Sequence, residues 1–178
     1  MKATIILKPS GAVDCRGSID LPLPLVSVWG QLRDFPRFAA QDPFHHHPRV
    51  LDGFPRQGAP IELSHRFCGV TIRRAGRILV WRENLGYSYS DLSRYGPRHG
   101  FPHVLSYRLQ SLTPDSTRLQ ITVRGRWTAA RIPRSLTRLY LRWVFTQILH
   151  RVRNELLVYQ LWRKRRPSSP SPFGRGLG

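Results

Sequence analysis

Acidic residues are scarce in this chain, which has 10 Asp and Glu against 29 Lys and Arg and a net charge of +19. None of the acidic residues form an obvious pair, so the paired carboxylates of a glycoside hydrolase are not indicated. The sequence also lacks the G-x-S-x-G, P-loop and G-x-G-x-x-G patterns that mark nucleophile elbows and nucleotide-binding loops. The sequence therefore gives no support to these enzyme classes.

Cysteines and long apolar runs are also few. Cys15 and Cys68 lie far apart in the sequence, which argues against a disulfide framework and against a zinc motif of paired cysteines. No run of about 18 apolar residues is present, so no transmembrane helix is predicted. The N-terminal "MKATIILKPSG" contains an apolar run too short for a signal peptide. We therefore expect a soluble protein of the reducing cytoplasm.

Arginine carries almost all of the positive charge, since the only lysines are Lys2, Lys8 and Lys164. A basic excess fits an anionic membrane surface or nucleic acid, and it fits the arginine bias of a GC-rich genome equally well. The one dense basic run is "RKRR" at 163–166. We therefore expect a basic C-terminal end that suits peripheral contact with anionic lipid. RNA or the ribosome is the weaker alternative, because the aromatic residues fall mainly on predicted core faces.

The apolar spacing predicts one strand, two short helices, a run of strands and a final long helix. "CRGSIDLP" (15–22) predicts the first strand, "LVSVWGQLRDF" (25–35) has helical spacing, and a second short helix precedes Pro43. From Pro43 to about residue 128, alternating apolar residues predict about six antiparallel strands with one wet face. These strands lie in "RVLDG", "PIELSHRF", "VTIRRAGRILVW", "LGYSYSDLS", "FPHVLSYRLQSL" and "TRLQITVRGRW".

Pro133 is well placed at the start of the last helix, which we expect to span about 30 residues. Its apolar stripe comprises Leu141, Phe145, Ile148, Val152, Leu156 and Tyr159, widened by Leu136, Leu139, Tyr140 and Trp143. Strands segregated from helices predict an α+β fold. A helix-grip, with a strongly curved antiparallel sheet of about six or seven strands around the long helix, would bury every apolar face. We expect an N-terminal lead at 1–13, the domain at 14–163 and a basic, disordered Pro/Ser/Gly-rich tail at 164–178.

The segment "SIDLPLPLVSVWGQLRDFPRFAAQDP" resembles the opening of SRPBCC, or START/Bet v 1-like, proteins, in particular the polyketide cyclase/dehydrase and lipid-transport group. Such proteins have a Val-Trp pair on the first helix and then a D-F-P-x-[FW] segment. The matching residues are Val28, Trp29, Asp34, Phe35, Pro36 and Phe38. The resemblance implies a cavity between sheet and long helix that holds a hydrophobic small molecule, such as a lipid, an isoprenoid or an aromatic polyketide. The protein would carry that ligand or transform it.

Polar residues interrupt the apolar faces of the predicted strands. His65, His103 and Tyr107 alternate with apolar residues and so should face the interior. There they hydrogen-bond to one another, to backbone or to water, or they orient the polar end of a ligand. The predicted ligand-binding residues are His65, Phe67, Tyr89, His103, Leu105 and Tyr107. A histidine with a tyrosine would also suit a cyclase or dehydratase, so carrier and enzyme both stay open and no catalytic residue is assigned.

Three consecutive histidines stand in "QDPFHHHPRV" at 41–50. A metal site needs three or four ligands that converge, and in an extended segment only His45 and His47 share a direction. No nearby Cys or Glu supplies a third ligand. We therefore predict a solvated loop at the cavity rim, with ligand contact or pH sensing as the alternative. No metal and no cofactor are expected.

Overall fold

The structure, a computed structural model, describes residues 2–67, 70–91, 101–127 and 133–165. The elements of this described part, in chain order, are β1 (Lys2–Leu7), β2 (Ala12–Leu21), α1 (Leu25–Leu32), α2 (Phe35–Ala39), β3 (His45–Val50), β4 (Pro60–Phe67), β5 (Val70–Arg82), β6 (Gly86–Ser90), β7 (His103–Thr113), β8 (Ser116–Arg126) and α3 (Arg134–Arg165). The predicted order of strand, two short helices, strands and long helix is confirmed from β2 onward.

The eight described strands form one antiparallel sheet in the order β1-β2-β8-β7-β6-β5-β4-β3. Strands β3 to β8 follow one another as neighbours, and β8 then pairs with β2. Residues 2–7, which the sequence analysis placed in a lead before the domain, pair with β2 as the edge strand β1. The sheet and the single long C-terminal helix confirm the predicted α+β helix-grip fold.

Alternating side chains of β7 and β8 build the middle of the core. Leu105 lies opposite Val123, and Leu109 lies opposite Leu119, as cross-strand partners. All four side chains are buried. The alternate positions face outward, as the sequence pattern predicted. At Gly17 in β2 an added Cβ would lie 2.8 Å from a methyl group of a leucine in α3, so glycine lets the helix approach the sheet closely.

Helix α3 lies against the β1–β2 side of the sheet. Its predicted stripe is buried at Leu141, Phe145, Ile148, Val152 and Leu156, while the side chain of Tyr159 lies outside the described residues. Leu136, Leu139 and Trp143 were expected to widen the stripe and instead are 55%, 66% and 57% exposed. At 3.6 residues per turn they lie about 140–160° around the helix from Leu141, which turns them away from the sheet. No helix of the described chain is long and apolar enough to cross a membrane.

Helices α1 and α2 cover another part of the sheet's inner face. Helix α1 packs against β7 and β8, and α2 packs against β3. Asp34 precedes α2 and accepts a hydrogen bond from the backbone N–H of Arg37 at 3.4 Å. This N-cap fixes the start of a helix that is only five residues long. As a result Phe35 and Phe38 are held fully buried over the sheet.

Candidate functional site

Six ionisable side chains meet at one end of the sheet, those of Asp42, His45, His65, Arg74, Asp91 and His103. His45 is the first residue of β3, and its cross-strand partner His65 lies near the end of β4. Asp91 directly follows β6, and His103 opens β7. A hydrogen bond links Asp91 and His103: the backbone N–H of His103 donates to Asp91 Oδ1 at 2.6 Å. Asp42 follows α2 at the same end, so strand pairing brings together residues that are far apart in the sequence.

Short distances link these side chains. His65 Nε2 lies 2.8 Å from Asp91 Oδ2, and Arg74 Nη1 lies 3.7 Å from the same oxygen. His103 Nε2 lies 3.4 Å from Asp42 Oδ2. All five of these side chains are buried. Arg74 balances the charge of Asp91, and the second buried carboxylate needs a positive charge from a neighbouring imidazole.

Hydrogen bonds from behind orient two of the imidazoles. His103 Nδ1 donates to the carbonyl of Phe101 at 2.8 Å. His45 Nδ1 lies 3.3 Å from the carbonyl of Ala39 and 3.1 Å from the hydroxyl of Tyr89. A carbonyl can only accept, so these contacts assign the protons to Nδ1. With its proton on Nδ1, a neutral His45 ring keeps its lone pair on Nε2.

The atoms at the centre of the cluster are close together without being hydrogen-bonded to one another. Nε2 of His45, His65 and His103 and Oδ2 of Asp91 have no partner of normal hydrogen-bond geometry among the described residues. The 2.8 Å contact of His65 with Asp91 satisfies the distance but not the direction. Nearly all buried polar atoms in proteins are paired, so four unpaired atoms in one place call for an explanation.

Among the three histidines of the cluster, His103 is the one that the surrounding charges keep protonated at neutral pH. Burial alone would lower the pKa of His103, but the carboxylates of Asp91 and Asp42 outweigh it and raise that pKa to about 9. Burial lowers the pKa of His45 to about 4, against the opposing effect of Asp42. Burial also lowers the pKa of His65. Burial alone would raise the pKa of both carboxyls, yet the neighbouring histidines hold those pKa values well below the usual range. Both carboxylates are therefore ionised.

The structure places most of the predicted site residues in the interior. His65, His103, Tyr107, Leu105 and Tyr89 are all buried, while the side chain of Phe67 lies outside the described residues. His65 and His103 belong to the cluster, and Tyr89 contacts it through His45. Tyr107 instead donates a hydrogen bond to the carbonyl of Phe38 at 3.1 Å. Leu105 adds buried apolar surface to the core.

The predicted solvated loop at the histidine run is wrong for His45. Strand β3 begins at this residue and turns its side chain inward, while His46 is half-buried and His47 is exposed. Alternation along a strand is the signal that turns His45 inward, and its neighbours lie on β4 and β7, far from it in the sequence. Asp42 and Arg74 were not predicted, because nothing local marks a charged residue as buried.

Aromatic rings fill the interior beyond the cluster. The ring of Tyr87 stacks on Trp81 at 5.1 Å between centroids and packs against Tyr107 at 5.1 Å and Phe35 at 6.1 Å. Its hydroxyl is buried and has no hydrogen-bond partner among the described residues. The interior thus combines large apolar surface with one unpaired phenol and a polar cluster at one end.

Comparison with known proteins identifies the fold. No family model matches the chain, and no curated protein matches its sequence. Among solved structures, Zhui aromatase/cyclase from Streptomyces sp. R1128 aligns with a TM-score of 0.64 at 18% identity, over 86% of this chain and 96% of that one. A START superfamily protein from Mycobacterium smegmatis gives 0.60 at 15% identity, over 83% and 98%. Ara h 8.0201 gives 0.58 at 13% identity, over 83% and 99%. This chain therefore shares the helix-grip fold of these solved structures.

Proposed function

We propose that the protein binds a hydrophobic small molecule with a hydroxyl or carbonyl group between the inner face of the sheet and helix α3. The unpaired hydroxyl of Tyr87 carries this proposal, because a buried hydroxyl without a partner costs about 1–3 kcal/mol. A ligand oxygen that accepts from this hydroxyl would offset the cost. Lipids, isoprenoids and aromatic polyketides all combine such an oxygen with a large apolar body.

The surroundings of Tyr87 suit an apolar ligand body. Trp81, Phe35 and Tyr107 surround the ring with aromatic surface, and aromatic rings provide large apolar area with specific packing geometry. A ligand that buries about 300 Å² of apolar surface gains roughly 7 kcal/mol at 25 cal/mol per Å². Part of that gain is lost to the ordering of ligand and side chains. Since a dissociation constant of 1 μM corresponds to about 8.2 kcal/mol, apolar burial of this size alone gives an affinity weaker than micromolar, and polar contacts must add to it.

The known proteins of this fold lend support of a general kind. One match is an aromatase/cyclase and another is a START superfamily protein. We propose for this chain only the feature that such folds can share, a small-molecule site between sheet and helix. In this arrangement His65 and His103 lie at one end of the interior, where they orient a polar group of the ligand.

Acid–base catalysis is a second candidate, favoured by the contact of His65 with Asp91 at 2.8 Å. A carboxylate beside an imidazole stabilises the protonated ring, as a general base requires once it has accepted a proton. Enolisation or dehydration of a polyketide-like substrate would use such a pair. Turnover separates the candidates, because a carrier returns its ligand unchanged and a cyclase or dehydratase does not.

Titration of a ligand panel against matched variants tests the proposal. A fatty acid, an isoprenoid alcohol and an aromatic polyketide are titrated against wild type, Tyr87→Phe and Ser88→Ala by calorimetry. Ser88 is the next residue of β6 and faces away from Tyr87, so its loss controls for removal of a hydroxyl at this point of the sheet. One hydrogen bond contributes about 0.5–1.5 kcal/mol, so Tyr87→Phe should weaken binding about 2- to 10-fold and Ser88→Ala should not. Equal affinities for all three proteins would contradict the role of Tyr87. Binding of none of the three ligands by wild type would contradict the proposed small-molecule site.

A further inference from the structure

We propose that His45, His65, Asp91 and His103 bind a divalent transition-metal ion, with Zn²⁺ the first candidate. One ligand atom from each of these four side chains lies within 4.8 Å of the others, and all four side chains are buried. They come from four places in the sequence and converge because β3 pairs with β4 and β6 pairs with β7. No cysteine is among these four donors, which is why cysteine spacing in the sequence gave no sign of the site.

The donor set fits an ion of this class. Imidazole nitrogen suits Zn²⁺, Cu²⁺, Fe²⁺ and Ni²⁺, and Zn²⁺ is commonly held by His and Asp in a tetrahedron. Zn–N and Zn–O bonds of about 2.0–2.2 Å put tetrahedral ligands about 3.4 Å from one another. The ligand atoms of the cluster lie within 4.8 Å of one another. Side-chain rotations that move these atoms by about 1 Å would bring them to the tetrahedral spacing of about 3.4 Å.

Outer contacts hold the ligands in the form that a metal needs. His103 Nδ1 donates to the Phe101 carbonyl, and His45 Nδ1 contacts the Ala39 carbonyl, so Nε2 of each ring is the nitrogen left for an ion. His103 releases its Nε2 proton when the ion binds. Metal-bound histidines almost always donate their other N–H in this way. Asp91 is oriented too, since its Oδ1 accepts from the backbone N–H of His103 and Oδ2 remains for the ion.

A purely hydrogen-bonded network explains the cluster less well. In such a network donors point at acceptors, but Nε2 of His45, His65 and His103 and Oδ2 of Asp91 are unpaired among the described residues. Ligands of one ion are close together and aimed at a common point, not at one another. Asp42 adds a second carboxylate 3.4 Å from His103 Nε2, and Arg74 neutralises one of the two negative charges. Without an ion, protonated His103 supplies the second positive charge; a cation at the centre takes over this role as His103 gives up its proton to bind it.

Metal binding is tested on the full-length protein with two adjacent histidines as a matched pair. His45 faces the cluster and His46 follows it on the other side of β3. Wild type, His45→Gln, His46→Gln and Asp91→Asn are stripped with chelator and titrated with ZnCl₂ by calorimetry and with CoCl₂ by visible absorption. Four-coordinate Co²⁺ gives strong d–d bands that six-coordinate surface sites lack. Circular dichroism without metal checks that each variant is folded.

We expect one Zn²⁺ per chain in wild type and His46→Gln, and at least a 100-fold weaker affinity in His45→Gln and Asp91→Asn. With free Zn²⁺ at 100 times its dissociation constant, the melting temperature of wild type should rise by about 5–10 °C relative to the metal-free protein. Wild type that binds no ion, or that binds it with unchanged affinity in His45→Gln and Asp91→Asn, overturns the site. If a variant fails to fold, the Co²⁺ spectrum of wild type decides. Small-molecule binding is read separately, by the ligand panel on metal-free protein, so one proposal can fail while the other holds.

Discussion

The hydroxyl of Tyr87 gives the sharpest prediction about stability. Tyr87→Phe removes one buried oxygen that has no partner among the described residues and keeps the ring that packs on Trp81 and Tyr107. Since the unpaired hydroxyl costs about 1–3 kcal/mol, its removal should raise the free energy of unfolding of ligand-free protein by about 1 kcal/mol. Denaturation in urea measures this change as a higher midpoint at constant slope.

Tyr107→Phe is the matched comparison on the neighbouring strand. The Tyr107 hydroxyl donates to the carbonyl of Phe38 at 3.1 Å, and that carbonyl also accepts from the backbone N–H of Gln41 at 3.1 Å. Removal of the hydroxyl therefore loses one buried hydrogen bond and should cost about 0.5–1.5 kcal/mol. The two Tyr→Phe changes are therefore expected to have opposite signs. A loss of stability in Tyr87→Phe as large as in Tyr107→Phe would show that the Tyr87 hydroxyl is already satisfied, and it would remove the support for the proposed ligand contact.

Further predictions concern the backbone, the buried tyrosines and the thiol. Gly76→Ala should destabilise the fold by more than about 3 kcal/mol, because its Cβ would lie 1.8 Å from the carbonyl oxygen of Ser90. An added Cβ at Gly30 has nothing within 4 Å, so Gly30→Ala should instead stabilise the fold by about 0.5–1 kcal/mol. Equal effects of the two changes in urea denaturation would refute this contrast. Burial raises the pKa of the three buried tyrosines of β6 and β7 above the usual value of 10, so above pH 10 the unfolded chain loses protons that the folded chain keeps. Stability should then fall as pH rises, by about 1.4 kcal/mol per pH unit for each such tyrosine, and phenolate absorbance that rises fully before unfolding would contradict it. Burial raises the pKa of the Cys15 thiol to about 12. In a Cys68→Ser variant, iodoacetamide at pH 8 should therefore label Cys15 only when the protein unfolds. Rapid labelling of the native protein would contradict the burial of this thiol.

The sequence predicts the fold well because the fold depends on periodic patterns. Alternation in β4, β7 and β8 and the helical stripe of α3 each point one face inward, and a helix-grip is a compact way to bury all of those faces. The edge strand β1 was not predicted, because six residues at the N-terminus carry little pattern of their own and depend on pairing with β2. The prediction that Leu136, Leu139 and Trp143 widen the stripe was wrong because their angle around α3 turns them away from the sheet.

The site was only half predictable from the sequence. His65 and His103 could be found, since each breaks an apolar alternation and must therefore face the core. Their charged partners Asp42 and Arg74 could not, because a buried charge is stabilised only by neighbours that strand pairing supplies. The pairing of His45 with His65 depends on the register of β3 with β4, and local sequence does not reveal that register.

The central claim, a small-molecule site in the interior, is tested most directly by native mass spectrometry of the purified protein. The protein is sprayed intact, then denatured, and any molecule released is identified by its mass. Bound metal is counted in the same intact spectrum. The account predicts a co-purifying or readily loaded ligand with an apolar body and at least one oxygen. A protein that is empty as purified, and still empty after incubation with a mixed lipid extract and with aromatic polyketides, would contradict it.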